Sequence, residues 1–165
     1  MTQSQIQKFF DKAREVSKLS DFDRVHIGCV IVYKKTVIGI GFNTWKTSPM
    51  QKRYNKPVYK QKGYIETKNA HSMHAEINAL NSVRHLDVDW SKCSMFIYRE
   101  HKRTHLPLLA KPCDACKRAT VAERLVSNTR HAVGDCICSS FSTRALFLPQ
   151  VPVQQEQSDF PLPEE

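Results

Sequence analysis

The sequence has no apolar run approaching the roughly eighteen residues that a membrane-spanning helix needs. Its start, Met1-Thr2-Gln3-Ser4-Gln5, lacks the basic stretch and apolar segment of a secretory signal. These absences lead to the expectation of a soluble, cytoplasmic protein with no membrane partner. No internal repeat is found, which removes repeat architectures from consideration. Acidic residues are scarce, with 16 Asp and Glu against 25 Lys and Arg, giving a net charge of +9. The shortage is local: residues 44 to 65 hold Lys46, Lys52, Arg53, Lys56, Lys60 and Lys62 with no Asp or Glu, so these six cations make the segment +6. The six cysteines do not suggest a disulfide framework. Two of them form a C-x-x-C, which suits a metal site in a reducing compartment and leaves Cys29, Cys93, Cys136 and Cys138 as free thiols.

What is present fills one domain. A chain of 165 residues with 41% hydrophobic content can build a single core, placed here at residues 1–148. Beyond Arg144 the charge reverses, with Glu156, Asp159, Glu164 and Glu165 set among Pro and Gln, so 149–165 reads as a disordered acidic tail. Ile6, Phe9, Phe10, Ala13, Val16 and Leu19 recur at three- and four-residue spacing and predict an amphipathic helix over 3–19. His26 to Tyr33 and Val37 to Phe42 predict two adjacent antiparallel strands buried on both faces. Asn43 to Ala70 is polar, basic and aromatic, too long for a simple connection, and reads as a long loop of the kind that is functional or mobile. A helix is expected from Ser72, a good N-cap, through Ile77, Leu80 and Val83. Met95 to Tyr98 predicts a third strand, and Pro112 the start of a helix reaching about Arg124. Val126, Ala132-Val133 and Cys136-Ile137-Cys138 are strand fragments that the pattern does not place.

Four residues carry the chemistry: His74 and Glu76 in His74-Ala75-Glu76, and Cys113 and Cys116 in Pro112-Cys113-Asp114-Ala115-Cys116. One imidazole and two thiolates give Zn²⁺ three protein ligands and leave the fourth tetrahedral position for water, the pattern of a catalytic site. Glu76 stands where a carboxylate can move protons on that water without binding the metal. With each half of the set at a predicted helix start, two helix N-termini would converge on the ion and favour thiolate. The plainer alternatives are a structural zinc knuckle, or an unrelated C-x-x-C beside a chance histidine. H-x-E upstream and Pro112 at the helix start weigh against both.

This pairing of H-x-E with P-C-x-x-C, together with the first helix, the two strands and Gly41-Phe42-Asn43, resembles the cytidine and deoxycytidylate deaminase superfamily from residue 3 to about 123. The resemblance implies an α/β fold, a three-layer α/β/α sandwich around a mixed sheet of about five strands. It also implies Zn²⁺ held by His74, Cys113 and Cys116, Glu76 as proton shuttle, and Asn43 as a substrate contact. Members often assemble as homo-oligomers that complete the pocket between subunits. Similar members continue into a clear strand, helix and further strand, whereas Leu125 to Phe147 shows only fragments of that pattern.

Trp45, Tyr54, Tyr59 and Tyr64 interleave with the six cations of 44–65. Such a mixture suits a phosphate-bearing substrate or single-stranded nucleic acid, against the plainer reading of a solvated loop. His101 and His105 read as surface histidines rather than partners of Cys136 and Cys138 in a second zinc site, and His71 as a capping or pocket residue. The expected activity is hydrolytic replacement of the C4 amine of cytosine, on a deoxycytidylate-like nucleotide or nucleoside. The alternatives are cytosine in single-stranded DNA or RNA, adenosine in tRNA, and a non-enzymatic zinc-containing nucleic-acid-binding module. The last would leave Glu76 without a task.

Overall fold

The computed structural model describes residues 1–65, 67, 70–122, 129–133 and 136–139, the last two stretches as backbone only. The elements are α1 (Gln3–Ser17), β1 (Val25–Tyr33), β2 (Thr36–Phe42), β3 (Thr44–Thr47), α2 (Pro49–Lys62), β4 (Ser72–Met73), α3 (Ala75–Val83), a 3₁₀ turn (Trp90–Lys92), β5 (Cys93–His101), α4 (Asp114–Ala122), β6 (Thr129–Val133) and β7 (Cys136–Ser139). Five strands form the main sheet in the order β2-β1-β5-β6-β7, and β3 pairs with β4 in a separate ribbon. β1 runs antiparallel to β2 and β5, β5 runs parallel to β6, and β6 runs antiparallel to β7. Among the described residues no helix is long and apolar enough to cross a membrane.

The alternation of side chains along the central strands makes the layers. Val30, Val32, Phe96 and Tyr98 point to α1 and form one core with Ile6, Phe9, Phe10, Ala13 and Val16. Cys29, Ile31, Met95 and Ile97 point the other way, into a core with Ala75, Ile77, Leu80 and Val83 of α3 and Cys116 and Ala119 of α4. The result is the three-layer α/β/α sandwich, with a mixed five-stranded sheet. A strand that serves two cores has no polar face, which explains the continuous apolar runs of β1 and β5.

The helices sit close because the sheet offers no side chain at the points of contact. A Cβ on Gly28 would overlap the Ala13 carbonyl oxygen of α1, and one on Gly41 would overlap the Ala75 carbonyl oxygen and the Ala79 amide of α3. A capping box between Thr2 and Gln5 starts α1. Phe9 and Phe10 then pack on Phe96 at centroid distances of 5.2 and 5.3 Å.

Three expectations need correction. Asn43 to Ala70 is not one long loop: it holds β3 and the 14-residue α2, which starts on an Ser48 N-cap with Pro49 in its first turn and ends on Gly63 at φ 65°. Its buried positions are Gln51, Asn55 and Val58, so the stripe facing the protein is mostly polar and shows no apolar period. Pro57 lies inside the helix, where a missing N–H normally argues against one. Ser72 does not cap α3, because it pairs with Thr47 in the β3–β4 ribbon and the helix begins at Ala75. The third strand is longer than the apolar core of Met95 to Tyr98.

Ala132-Val133 and Cys136-Ile137-Cys138 fall in β6 and β7, an antiparallel pair at the far edge of the sheet. Val126 and the tail from 149 lie outside the described residues.

Candidate metal centre

Both halves of the predicted ligand set stand at helix starts, and each uses its start differently. His74 is the N-cap of α3, with extended backbone (φ −79°, ψ 154°), but its side chain makes no capping bond. The imidazole turns away toward α4 instead. Its Nδ1 lies 3.5 Å from Cys113 Sγ and 3.4 Å from Cys116 Sγ. On the other side, Cys113 does cap its helix. Its sulfur accepts the Cys116 backbone N–H at 3.4 Å, and its carbonyl accepts the Lys117 N–H at 2.9 Å.

The three side chains fit a zinc ion. Their ligand atoms all lie within 4.8 Å of one another. A tetrahedral centre with Zn–S near 2.3 Å and Zn–N near 2.0 Å would put sulfur and nitrogen about 3.5 Å apart, which matches the separations from His74 to both cysteines. Cys116 is fully buried and Cys113 is exposed, so the cluster is reachable from one side.

The electrostatics suit thiolate chemistry. In the metal-free chain, hydrogen bonding from Cys116, aided by His74, pulls the Cys113 thiol down to about 4. The Cys116 thiol is pushed well up, first by sharing that bond with Cys113 and then by burial. Burial would lower the His74 imidazole, but its bond to Cys113 and the charges of Glu76 and Cys113 outweigh that and raise it. Glu76, in the first turn of α3, is 5% exposed, and burial lifts its carboxyl above the ordinary range. It is within hydrogen-bonding reach of Cys116.

Asn43 is joined to the histidine half through the β3–β4 ribbon: its neighbour Thr44 pairs with Met73, the residue before His74. Its side-chain amide is engaged with β1, accepting the Ile27 N–H at 2.8 Å and donating to the Val25 carbonyl at 3.0 Å. Among the described residues, one lone pair and one N–H of that amide stay uncommitted. His71 stacks on Tyr59 of α2, with ring centroids 6.0 Å apart. His105 contacts Glu100 at 3.4 Å, while the side chains of Cys136 and Cys138 lie outside the described residues.

Sequence reasoning missed α2 and what it does here. Gln51 of α2 accepts the His74 backbone N–H at 3.0 Å. Lys62 pairs with Asp114 at 2.7 Å and Gln61 accepts from Arg118 at 3.0 Å, which ties the end of α2 to the start of α4. Gln61, Lys62, Asp114, Lys117 and Arg118 line an open groove of about 510 Å³. The signal that could have found the helix is Ser48-Pro49 followed by Gly63, a start and a stop at plausible spacing.

The family model for the cytidine and deoxycytidylate deaminase zinc-binding region matches residues 3–133. The chain belongs to this family. It is therefore a hydrolytic deaminase, and its His-Cys-Cys cluster fits the family's zinc. Among solved structures, the dCMP deaminase of cyanophage S-TIM5 in its apo form is 20% identical with a TM-score of 0.52, covering 79% of this chain and 84% of that one. The same phage enzyme in complex with dCMP and dUMP is 19% identical with a TM-score of 0.51, covering 79% and 82%. Cytidine deaminase from Burkholderia pseudomallei is 14% identical with a TM-score of 0.52, covering 84% and 93%. At these identities the likeness is one of fold. No curated protein sequence matches the chain.

Proposed function

We propose that the chain hydrolyses the C4 amine of cytosine on a deoxycytidylate-like nucleotide or nucleoside, with water as co-substrate and ammonia and the uracil base as products. The observation that carries this reading is the convergence of His74, Cys113 and Cys116 with a buried Glu76 next to them. His74, Cys113 and Cys116 would hold a zinc ion, which when bound would supply a Lewis acid able to bring the pKa of water toward about 7. Glu76 would take a proton from the attacking water, deliver it to N3 of the ring, and carry the proton of the new C4 hydroxyl to the departing amine. A carboxyl raised by burial suits both halves of that task, because it can hold the proton as well as release it. The free lone pair and N–H of Asn43 are assigned to the substrate's sugar or base.

Lys52, Arg53, Lys56 and Lys60 are exposed on α2 and form no ion pair among the described residues, so they are free to attract a nucleotide phosphate. The phage relative, solved with dCMP and dUMP, supports a mononucleotide. The test is ammonia release from cytidine, deoxycytidylate, single-stranded DNA and a tRNA stem-loop. Turnover of deoxycytidylate is expected. Turnover of DNA or of the stem-loop with none of any mononucleotide would overturn the substrate assignment.

A further inference from the structure

The strand that delivers His74 is gripped by two buried amides of α2. Gln51 has no exposed surface; its Oε1 accepts the His74 backbone N–H at 3.0 Å, and its Nε2 donates to Asn55 Oδ1 at 2.8 Å. Asn55 is 3% exposed and donates from Nδ2 to the Ala70 carbonyl at 2.7 Å, which also accepts the Tyr59 hydroxyl at 2.8 Å. The chain of bonds therefore runs from one end of the 70–74 segment through α2 to the other end. Its direction is fixed. Rotating the Gln51 amide would set its NH₂ against the His74 N–H, and rotating the Asn55 amide would set two NH₂ groups against each other.

Such a chain has a reason to exist at this place. An N-cap normally steadies its helix start with its own side chain, and His74 does not, because its ring faces the two cysteines. The His74 N–H lies outside the helical ladder and would be left without a partner if Gln51 were removed. We propose that Gln51 and Asn55 are positioning residues, a clamp that sets the backbone of His74, and so the direction of its ring, before the metal arrives. This rests on the reading of His74, Cys113 and Cys116 as the zinc site. The residues spaced four apart on α2 act through His74 and touch neither metal nor substrate.

The test is zinc affinity of the full chain, measured by competition with a chromophoric chelator, for Gln51→Met, Asn55→Leu and the double variant. Each single variant is expected to weaken zinc binding about tenfold, as the loss of groups that orient a ligand does. The double variant is expected to lose no more than the worse single one, because both amides belong to one chain. A fold-supporting role alone would lower the melting temperature and leave zinc affinity at the wild-type value. Wild-type affinity in the folded single variants, or losses that add in the double, would overturn the clamp.

A second measurement needs no variant. In the metal-free wild-type protein the His74 amide should exchange with solvent as slowly as the Asn78 amide, which bonds to the His74 carbonyl at 2.9 Å inside α3. Exchange as fast as that of exposed loop amides would show that no clamp precedes the metal. A wild-type chain that binds no zinc would overturn the reading of the site, while the His74 exchange rate would still decide the clamp.

Discussion

The two halves of the metal centre reach the same point by different means. The cysteine half is local: Pro112 leads into one helical turn, Cys113 caps that turn with its sulfur, and Cys116 follows three residues later with its thiol buried. The histidine half is assembled from a distance. His74 sits between a two-residue strand and α3, and its backbone is held by Gln51 from 23 residues away in sequence. A motif that carries its own geometry can be recognised from spacing alone, whereas one held by long-range polar bonds depends on packing that spacing does not display.

Perturbing each half should separate them. Cys116→Ala removes a buried ligand, so the dialysed protein should retain no zinc by metal analysis and release no ammonia; zinc at one per chain would break the assignment of the cysteine half. Gly28→Ala disturbs only the opposite face of the sheet, where the new Cβ meets the Ala13 carbonyl. It should cost about 3 kcal/mol of stability in denaturant unfolding yet leave zinc stoichiometry at the wild-type value. Ser48→Ala should cost about 1–2 kcal/mol, because Ser48 Oγ accepts both the Gln51 N–H at 3.5 Å and an Asn81 side-chain N–H at 3.3 Å from a buried position. An unchanged melting temperature would show that α2 does not depend on its cap.

The smallest perturbation is a pH series on the metal-free wild type. Cys113 is exposed with a thiol drawn down to about 4, whereas burial lifts Cys29 well above the ordinary range. A lowered pKa keeps thiolate present from neutral pH down to about 4 and loses it only below. Alkylation at Cys113, followed by peptide mass mapping, should therefore be nearly level from pH 8 to about 5, whereas an ordinary thiol slows about tenfold per unit below its pKa. Cys29 should stay unmodified throughout. An alkylation rate at Cys113 that falls across this whole range would contradict the hydrogen-bonded thiolate.

Much of this arrangement is legible in the sequence for physical reasons that can be named. The α1 stripe and the apolar runs of β1 and β5 report burial directly, because a helix or strand against a core must be apolar on that side. α2 is illegible by the same rule. Its inward positions include Gln51 and Asn55, its outward ones carry Lys52, Lys56 and Lys60, and Pro57 interrupts it, so neither periodicity nor propensity marks a helix. Ser72 misled as an N-cap because the true one is a histidine whose ring is committed to two sulfurs. Asn43 is legible in the sequence as a candidate substrate contact, but nothing there shows that half of its amide's hydrogen-bonding capacity is spent on β1.

The most direct test is a paired measurement of zinc content and deoxycytidylate turnover in the wild type and Glu76→Gln. One zinc per chain is expected in both proteins, with ammonia release by the wild type and a loss of about 10²–10⁴-fold in the variant. A Glu76→Gln protein that holds zinc and deaminates at a near-normal rate would contradict the role given to Glu76.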